Sequence, residues 1–194
     1  MSAISRCATW VGLCAVLLGA RDTNAQIVYV TTPKDVVTRM LELGDLTPGE
    51  VLYDLGSGDG RIPIEAARRY GVRAIGVERE PELIRVSRAR ARDAGLEELV
   101  TFREANLFDV DFESADVVTL YLLPTINQRL VPKLSKLATG SRIVSHQYMI
   151  PGMTADLGVR FVSEEDAATH MLYLYTTPLV STDPPAGAEP PKRD

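Results

Sequence analysis

The sequence predicts an α/β fold: a mostly parallel, doubly wound sheet with helices on both faces. Two observations support this. Short apolar runs alternate with segments of helical period between about residues 33 and 175, which is the order of a parallel sheet with crossover helices. The first apolar run, residues 51–55, leads into a glycine-rich loop and then a helix, as happens at the ligand-binding edge of such sheets. Polar side chains at the strand ends are therefore expected to share one crevice.

The predicted elements of the first half begin with a helix. Thr32 is its predicted N-cap, Pro33 is its first helical residue and Gly44 ends it, because these residue types favour those positions. The elements that follow are a strand over 51–55, a helix over about 61–70, a strand over 72–78, a helix over 81–94 and a strand over 99–103.

The second half repeats this alternation. A fourth strand is predicted over 116–121, and an amphipathic segment follows it as far as Gly140. Pro132 lies inside that segment, so two short helices or a kinked helix are expected. Strands over 142–148 and 171–175 complete the sheet.

The loop after the first strand carries two carboxylates, Asp54 and Asp59, among its glycines. The glycine spacing is G-x-G-x-G, whereas the dinucleotide fingerprint requires G-x-G-x-x-G. The loop has neither the Lys-Ser/Thr ending of a phosphate-binding loop nor the G-x-S-x-G frame of a nucleophile elbow. Phosphates close to two carboxylates are unfavourable, so the loop indicates a cationic ligand.

Glu78 ends the second predicted strand, 22 positions after Gly56. A carboxylate about 20 residues after the first glycine reaches ribose hydroxyls in sheets of this kind. The alternatives are a solvated charge for Glu78 and glycines that serve only the turn.

The run Asp54-Leu-Gly-Ser-Gly-Asp-Gly-Arg61, taken with Glu78, resembles motif I and the acidic end of strand two in class I S-adenosylmethionine-dependent methyltransferases. Residues 28–177 also resemble small bacterial relatives of the mitochondrial enzymes that methylate lysines of ATP synthase subunit c and of the adenine nucleotide carrier. The resemblance implies a Rossmann-like fold and S-adenosylmethionine as cofactor. The implied cofactor-binding residues are Asp54, Gly56, Ser57, Gly58, Asp59, Gly60, Glu78, Asn106 and Leu107.

Asn106 lies where many class I enzymes have an aspartate that accepts a hydrogen bond from adenine. Its carboxamide is able to accept the same bond, and the alternative is a turn residue bonded to its own backbone. In the family the N-terminal segment covers the cofactor, so Tyr29 and residues 31–33 are expected to help close the pocket.

The acceptor site is expected beyond the fourth and fifth strands. The resemblance is compatible with Tyr121 and Pro124 near the acceptor, and His146 and Tyr148 end the fifth strand. Tyr121 and His146 are the candidate catalytic residues, because histidine is able to orient or deprotonate an acceptor near neutral pH. Structural roles are the alternatives for both, and a structural role is expected for His170. An Asp/Asn-Pro-Pro-Tyr motif, frequent in adenine methyltransferases, is absent from the sequence.

The expected activity is methyl transfer to an amine, with a protein lysine favoured. The alternatives are a small-molecule methyltransferase and an exported module that binds a nucleoside or S-adenosylmethionine without catalysis. A formal charge of −5 argues against nucleic acid, which needs a basic surface. A membrane or basic protein is the expected acceptor, and the enzyme is expected to be a monomer.

Three regions are expected along the chain. Residues 1–25 resemble a signal peptide, with Arg6 before an apolar run and Thr23-Asn-Ala25 at the cleavage point, and a short inner-membrane anchor is the alternative. Residues 26–177 form the methyltransferase domain. Residues 178–194 are expected to be a disordered, Pro-rich tail. Both cysteines lie in the first region, so export would leave no thiolate ligand, and no metal site is expected.

Overall fold

The structure is a computed structural model and describes residues 31–182. The predicted signal peptide, Tyr29 and residues 183–194 lie outside the described residues. The described chain folds around one seven-stranded sheet, with a separate two-stranded sheet beside it.

The helices are α1 (Lys34–Leu43), α2 (Arg61–Tyr70), α3 (Pro81–Asp93) and α4 (Pro124–Leu134). The strands are β1 (Val51–Leu55), β2 (Arg73–Glu78), β3 (Val100–Glu104), β4 (Val117–Leu120), β5 (Arg142–His146), β6 (Met153–Thr154), β7 (Leu157–Val162), β8 (Thr169–Thr176) and β9 (Val180–Ser181).

The main sheet has the strand order β3-β2-β1-β4-β5-β8-β7. Strands β1 to β5 are parallel, whereas β8 pairs antiparallel with both β5 and β7. Strand order reverses between β1 and β4, and a doubly wound sheet binds its ligand beyond the strand ends at that point. The predicted mostly parallel α/β fold is confirmed.

The sheet has an apolar core on each face, as expected for parallel strands covered by helices. Residues of α1, α2 and α3 fill one layer, where Met40 and Leu41 are fully buried. Residues of α4 and of the segment before β4 fill the other layer, around Leu130 and Phe112.

Two local predictions need correction. Thr32 is not the N-cap of α1: Pro33 holds that position without a side-chain cap, and the Thr32 hydroxyl contacts His146 instead. Pro132 does not divide the segment after β4, since α4 is one helix with Pro132 near its C-terminal end. Pro132 lacks only one backbone donor there, and α4 ends two residues later.

The predicted disordered tail begins too early. Val180 and Ser181 form β9, which pairs with β6, and the Thr182 amide donates to the Gly152 carbonyl at 2.9 Å. These backbone hydrogen bonds, together with packing of Leu179 on the core, order residues 178–182. The remainder of the predicted tail lies beyond the residues described.

Candidate active site

The loop between β1 and α2 turns sharply on glycines. Gly56, Gly58 and Gly60 have φ angles of 83°, 53° and 80°, a region that residues with a Cβ rarely adopt. The Gly56 and Ser57 amides donate to the Val77 carbonyl at 2.8 and 2.9 Å. The loop is therefore fixed to β2, and α2 begins directly after Gly60.

Asp54 lies at the base of the crevice, in β1 beside Thr119 of β4. Its side chain is buried, and the Thr119 hydroxyl donates to Oδ1 at 2.8 Å. Burial, with smaller contributions from the charges of Glu78 and Asp59, raises the pKa of Asp54 to about 7, although the Thr119 hydrogen bond opposes this. A buried carboxylate that is costly to ionise attracts a nearby cation strongly.

The Glu78 carboxylate gathers backbone donors at the end of β2. Its Oε2 accepts from the Gly58 amide at 3.0 Å, and its Oε1 accepts from the Arg79 and Glu80 amides at 2.8 and 3.1 Å. Glu78 thus connects the glycine loop to the turn after β2. A carboxylate has about four lone-pair directions, which leaves capacity for a ribose hydroxyl.

Replacing Glu78 by Gln is expected to weaken S-adenosylmethionine binding about 10-fold to 100-fold. The amide group loses charge-assisted hydrogen bonds, each of which contributes roughly 1.5–3 kcal/mol. Isothermal titration calorimetry measures the change. Glu80→Gln is the matched control, because Glu80 is exposed and next to the same turn. Equal affinity of Glu78→Gln and the unmodified protein would contradict the role.

The sequence predicts that Asp59 faces the positive charge of the cofactor, but its carboxylate pairs with two arginines instead. Arg61 Nε and Nη2 donate to its two carboxylate oxygens at 2.9 and 2.6 Å, and Arg90 of α3 also contacts Oδ2. These hydrogen bonds outweigh the opposing effect of burial and lower the pKa of Asp59 to about 2. The charge of Asp59 is therefore compensated by two guanidinium groups, whereas Asp54 and Glu78 have no cationic partner among the described contacts.

The remaining predicted cofactor residues are Ser57 in the loop, and Asn106 and Leu107 after the end of β3. Asn106 uses its side-chain oxygen to accept from the Phe108 amide at 3.1 Å, which is the turn role named as the alternative. Its contact with adenine, and that of the half-buried Leu107, stay predictions. The Ser57 hydroxyl is buried and has no hydrogen-bond partner within residues 31–182, so this loop retains an unused polar group.

Of the predicted acceptor residues, Tyr121 and His146 are in contact beyond β4 and β5. The Tyr121 and His146 rings lie 4.0 Å apart between centroids, at 38°. Leu122, which follows Tyr121, packs against the glycine loop. A Cβ added at Gly56 would lie 2.9 Å from the Leu122 side chain. The acceptor region therefore adjoins the cofactor loop. Pro124 lies at the exposed start of α4.

A strained turn presents Tyr148. Gln147 has a φ of 67°, and the Tyr148 amide donates to the His146 carbonyl at 2.8 Å, which defines a γ-turn of the rare positive-φ type. The Ser145 hydroxyl donates to the Tyr148 carbonyl at 2.6 Å. Such strain persists only where surrounding contacts impose it, and it is concentrated at functional sites.

The sequence does not indicate the partners of His146. Thr32 Oγ1 lies 3.3 Å from its Nδ1, and His170 Nδ1 lies 2.9 Å from its Nε2. Burial, and then the charge of His170, lower the pKa of His146 to about 4 despite the nearby Asp166 carboxylate. His146 is therefore a neutral ring at pH 7. Only the segment order of the folded sheet brings these residues together, so no local motif signals them.

No helix in residues 31–182 is long and apolar enough to cross a membrane. In that same range, no group of three or more His, Cys, Asp or Glu side chains is arranged to hold a metal ion.

Known proteins resemble this chain in sequence. The profile of the ANTKMT methyltransferase domain matches residues 54–157. A protein-lysine N-methyltransferase of Saccharolobus islandicus is 40% identical over 151 residues, which cover 77% of this chain and 92% of that protein. The mouse adenine nucleotide translocase lysine N-methyltransferase is 36% identical over 65% of this chain, but the match spans only 55% of the mouse protein.

Solved structures resemble it as well. The structure of an RNA methyltransferase from Salinibacter ruber in complex with S-adenosyl-L-homocysteine is 43% identical, with a TM-score of 0.71, covering 83% of this chain and all of that one. That ligand is the demethylated form of the predicted cofactor, and the crevice beyond β1 and β2 offers the carboxylates and glycines that suit it. The chain belongs to the ANTKMT methyltransferase domain family and is an S-adenosylmethionine-dependent methyltransferase.

Proposed function

We propose that this enzyme transfers the methyl group of S-adenosylmethionine to the side-chain amine of a protein lysine. The observation that supports this is the close, tilted contact of the Tyr121 and His146 rings, next to the loop-packing Leu122. Tyr121 is half-buried and the imidazole of His146 is fully buried. Lysine has an unperturbed pKa near 10.4, so it must lose a proton before it attacks. Poorly solvated aromatic surroundings favour its neutral form.

The rim of this region is apolar. Leu123 at the start of α4 and Met149 after β5 are large hydrophobic residues that are about half exposed, at 52% and 47%. The Asn127 carboxamide, fully buried, donates to the Met149 carbonyl at 3.4 Å, so it holds the two sides of the rim together. Exposed apolar residues beside a site suit a protein segment rather than a small polar acceptor. The names of the archaeal and mouse relatives, both lysine methyltransferases, support the same acceptor.

RNA is the second candidate acceptor, because the 43% identical relative from Salinibacter ruber is described as an RNA methyltransferase. RNA-binding surfaces combine basic residues with exposed aromatic rings on which bases stack. This chain has a net charge of −5, which argues against such a surface.

Transfer of a labelled methyl group separates the candidate acceptors. The protein is incubated with S-adenosylmethionine that carries the label, together with membrane protein, soluble protein, RNA or small-molecule fractions. We expect label in protein, on lysine nitrogen after digestion and mass spectrometry, and much less with the Glu78→Gln variant. Label confined to RNA or to the small-molecule fraction would contradict the lysine acceptor.

We further propose that residues 1–25 direct export and that the mature enzyme acts as a monomer on a membrane or basic protein. An apolar run preceded by Arg6, with small residues at 23–25, supports export. The relatives named for ATP synthase subunit c and the adenine nucleotide translocase support a membrane acceptor. A fusion of residues 1–30 to a reporter active only outside the cytoplasm should be active. An inactive fusion would favour an uncleaved anchor with the domain facing the cytosol.

A further inference from the structure

Four polar side chains form a continuous chain from the N-terminal segment to the surface, which we call the Thr32–Asp166 chain. It runs from the Thr32 hydroxyl to His146, then to His170 and finally to Asp166. Thr32 Oγ1 is 3.3 Å from His146 Nδ1, and His146 Nε2 is 2.9 Å from His170 Nδ1. His170 Nε2 lies 3.2 and 3.3 Å from the Asp166 carboxylate oxygens. The first three residues are buried, whereas Asp166 is exposed.

The carboxylate at its end fixes the direction of this chain. An ionised carboxylate only accepts hydrogen bonds, so Nε2 of His170 carries the hydrogen and its Nδ1 has the lone pair. His146 must then donate from Nε2 and accept at Nδ1 from the Thr32 hydroxyl. With both rings neutral, this is the arrangement in which each bond has one donor and one acceptor.

The Thr32 end lies where the cofactor loop and the acceptor strands meet. The Thr32 carbonyl accepts from Arg61 Nη1 at 2.5 Å, directly after the glycine loop. Its hydroxyl contacts His146, which stacks against Tyr121 at the end of β4. The opposite end leaves the protein at the turn between β7 and β8.

We propose that the Thr32–Asp166 chain conducts the proton lost by the acceptor amine to solvent, with Thr32 as its point of entry. This proposal rests on the amine acceptor proposed above. A protonated amine first loses one N–H proton. Its lone pair then forms the N–C bond while the C–S bond breaks and leaves its electron pair on sulfur. The products are a methylated ammonium ion, a neutral thioether and one proton, so each turnover must release a proton while the site excludes water.

The transfer requires no other reactant. The amine proton passes to the Thr32 oxygen, the hydroxyl proton to His146 Nδ1, the Nε2 proton of His146 to His170, and that of His170 to Asp166. Asp166, being exposed, releases its proton to water. After the product leaves and the site opens, one proton from solvent enters the chain at Asp166, and one proton leaves the chain at Thr32. This reverse movement restores the starting tautomers, and the net result is one proton released per turnover.

The tautomers of His146 and His170 test the hydrogen-bond directions of the Thr32–Asp166 chain, and they can be measured without a methyl acceptor. In long-range proton–nitrogen NMR spectra at pH 7.5, we expect both His146 and His170 to be neutral and protonated on Nε2. Asp166→Asn should allow the other tautomer of His170, whereas Asp93→Asn, the same change at the exposed last residue of α3, should not. An Nδ1 proton on either ring of the unmodified protein would overturn the proposal.

The pH dependence of methyl transfer tests whether the Thr32–Asp166 chain carries the proton of the acceptor amine. Single-turnover transfer to a random lysine–alanine copolymer is measured for His170→Gln, Asp166→Asn, Thr32→Val and Thr32→Ser. At pH 7.5 we expect the first three to be slower about 10-fold to 100-fold, and Thr32→Ser to recover most of the rate. The loss should shrink towards pH 10, because lysine is then increasingly neutral without help. Tyr121, Tyr148 and Arg61 face the same region and are left unchanged.

Failure of the proton path and failure of the lysine acceptor give different results. An equal loss at every pH would indicate a structural role and overturn the proton path, as would full activity of Thr32→Val. Calorimetry with S-adenosylmethionine shows whether each variant retains its cofactor site, and Asp166→Asn at the surface provides a test if His170→Gln does not fold. No methyl transfer to the copolymer by the unmodified enzyme would overturn the proposed lysine acceptor instead.

Discussion

Replacing Gly60 by Ala should destabilise the protein by about 3–4 kcal/mol and abolish measurable binding of S-adenosylmethionine. Gly60 has a φ of 80°, and a Cβ there would lie 2.5 Å from the Phe102 ring and 2.8 Å from Ser87. Both neighbours are buried, so neither is free to move away. Overpacking costs about 1–3 kcal/mol, and the left-handed backbone adds about 1–2 kcal/mol for a residue with a Cβ. Urea unfolding measures the loss.

Gly71→Ala is the matched control for this experiment. Gly71 ends the same helix with a similar φ of 66°, but nothing lies within 4 Å of its Cβ position. Gly71→Ala should therefore show only the cost of the left-handed backbone, about 1–2 kcal/mol. Adding Phe102→Leu to Gly60→Ala should restore part of the stability. Equal destabilisation by Gly60→Ala and Gly71→Ala would show that close packing of the loop against β3 is unimportant.

Replacing Asp54 by Asn should raise stability at pH 8 and lower the affinity for S-adenosylmethionine at least 10-fold. The pKa of Asp54 is about 7 in the folded protein and near 3.9 in an unfolded chain. The folded state thus binds the proton more tightly, and its stability falls as pH rises from about 4 to about 7. The full loss above pH 7 is on the order of 4 kcal/mol. Asn removes this cost and keeps an oxygen for the Thr119 hydroxyl, but it no longer attracts a cation.

Unfolding free energies at pH 5 and pH 8 test this prediction. The unmodified protein should lose stability between these values through Asp54, and Asp54→Asn should lose less. Asp93→Asn, an exposed aspartate on α3, should behave as the unmodified protein does. If Asp54→Asn were less stable at pH 8 and bound the cofactor normally, Asp54 would be a structural residue.

The part of the site predictable from sequence is the part that short local patterns encode. The strand, the glycine loop and Glu78 follow one another within 28 residues, 51–78, and parallel topology places their ends together. Asn106 follows β3, which pairs parallel with β2 and so ends at the same edge of the sheet, although the Asn106 side-chain oxygen bonds a local amide.

The remainder depends on contacts between distant segments. Threonine is a favoured N-cap residue, yet the Thr32 hydroxyl contacts His146, which lies 114 positions later in the chain. Arg90 belongs to a helix whose mixed charges indicate a solvated face, yet it contacts Asp59. Strand β7 was not predicted: four of its six residues are exposed, and only Val159 and Phe161 pack partly buried against the core. Local propensity does not report tertiary partners, so these features required the folded chain.

We expect the crevice at the ends of β1 and β2 to bind a cationic cofactor free of phosphate, with Asp54 providing the attraction. Calorimetric titration of residues 26–194 with S-adenosylmethionine, S-adenosylhomocysteine and NAD, in two pH 7 buffers of different ionisation enthalpy, measures affinity and proton release together. We predict that the first two bind, that NAD does not, and that the sulfonium compound releases more protons because its charge lowers the pKa of Asp54. Tight binding of NAD would contradict a crevice specific for a cofactor free of phosphate. Equal proton release by both adenosyl ligands would contradict the role of Asp54.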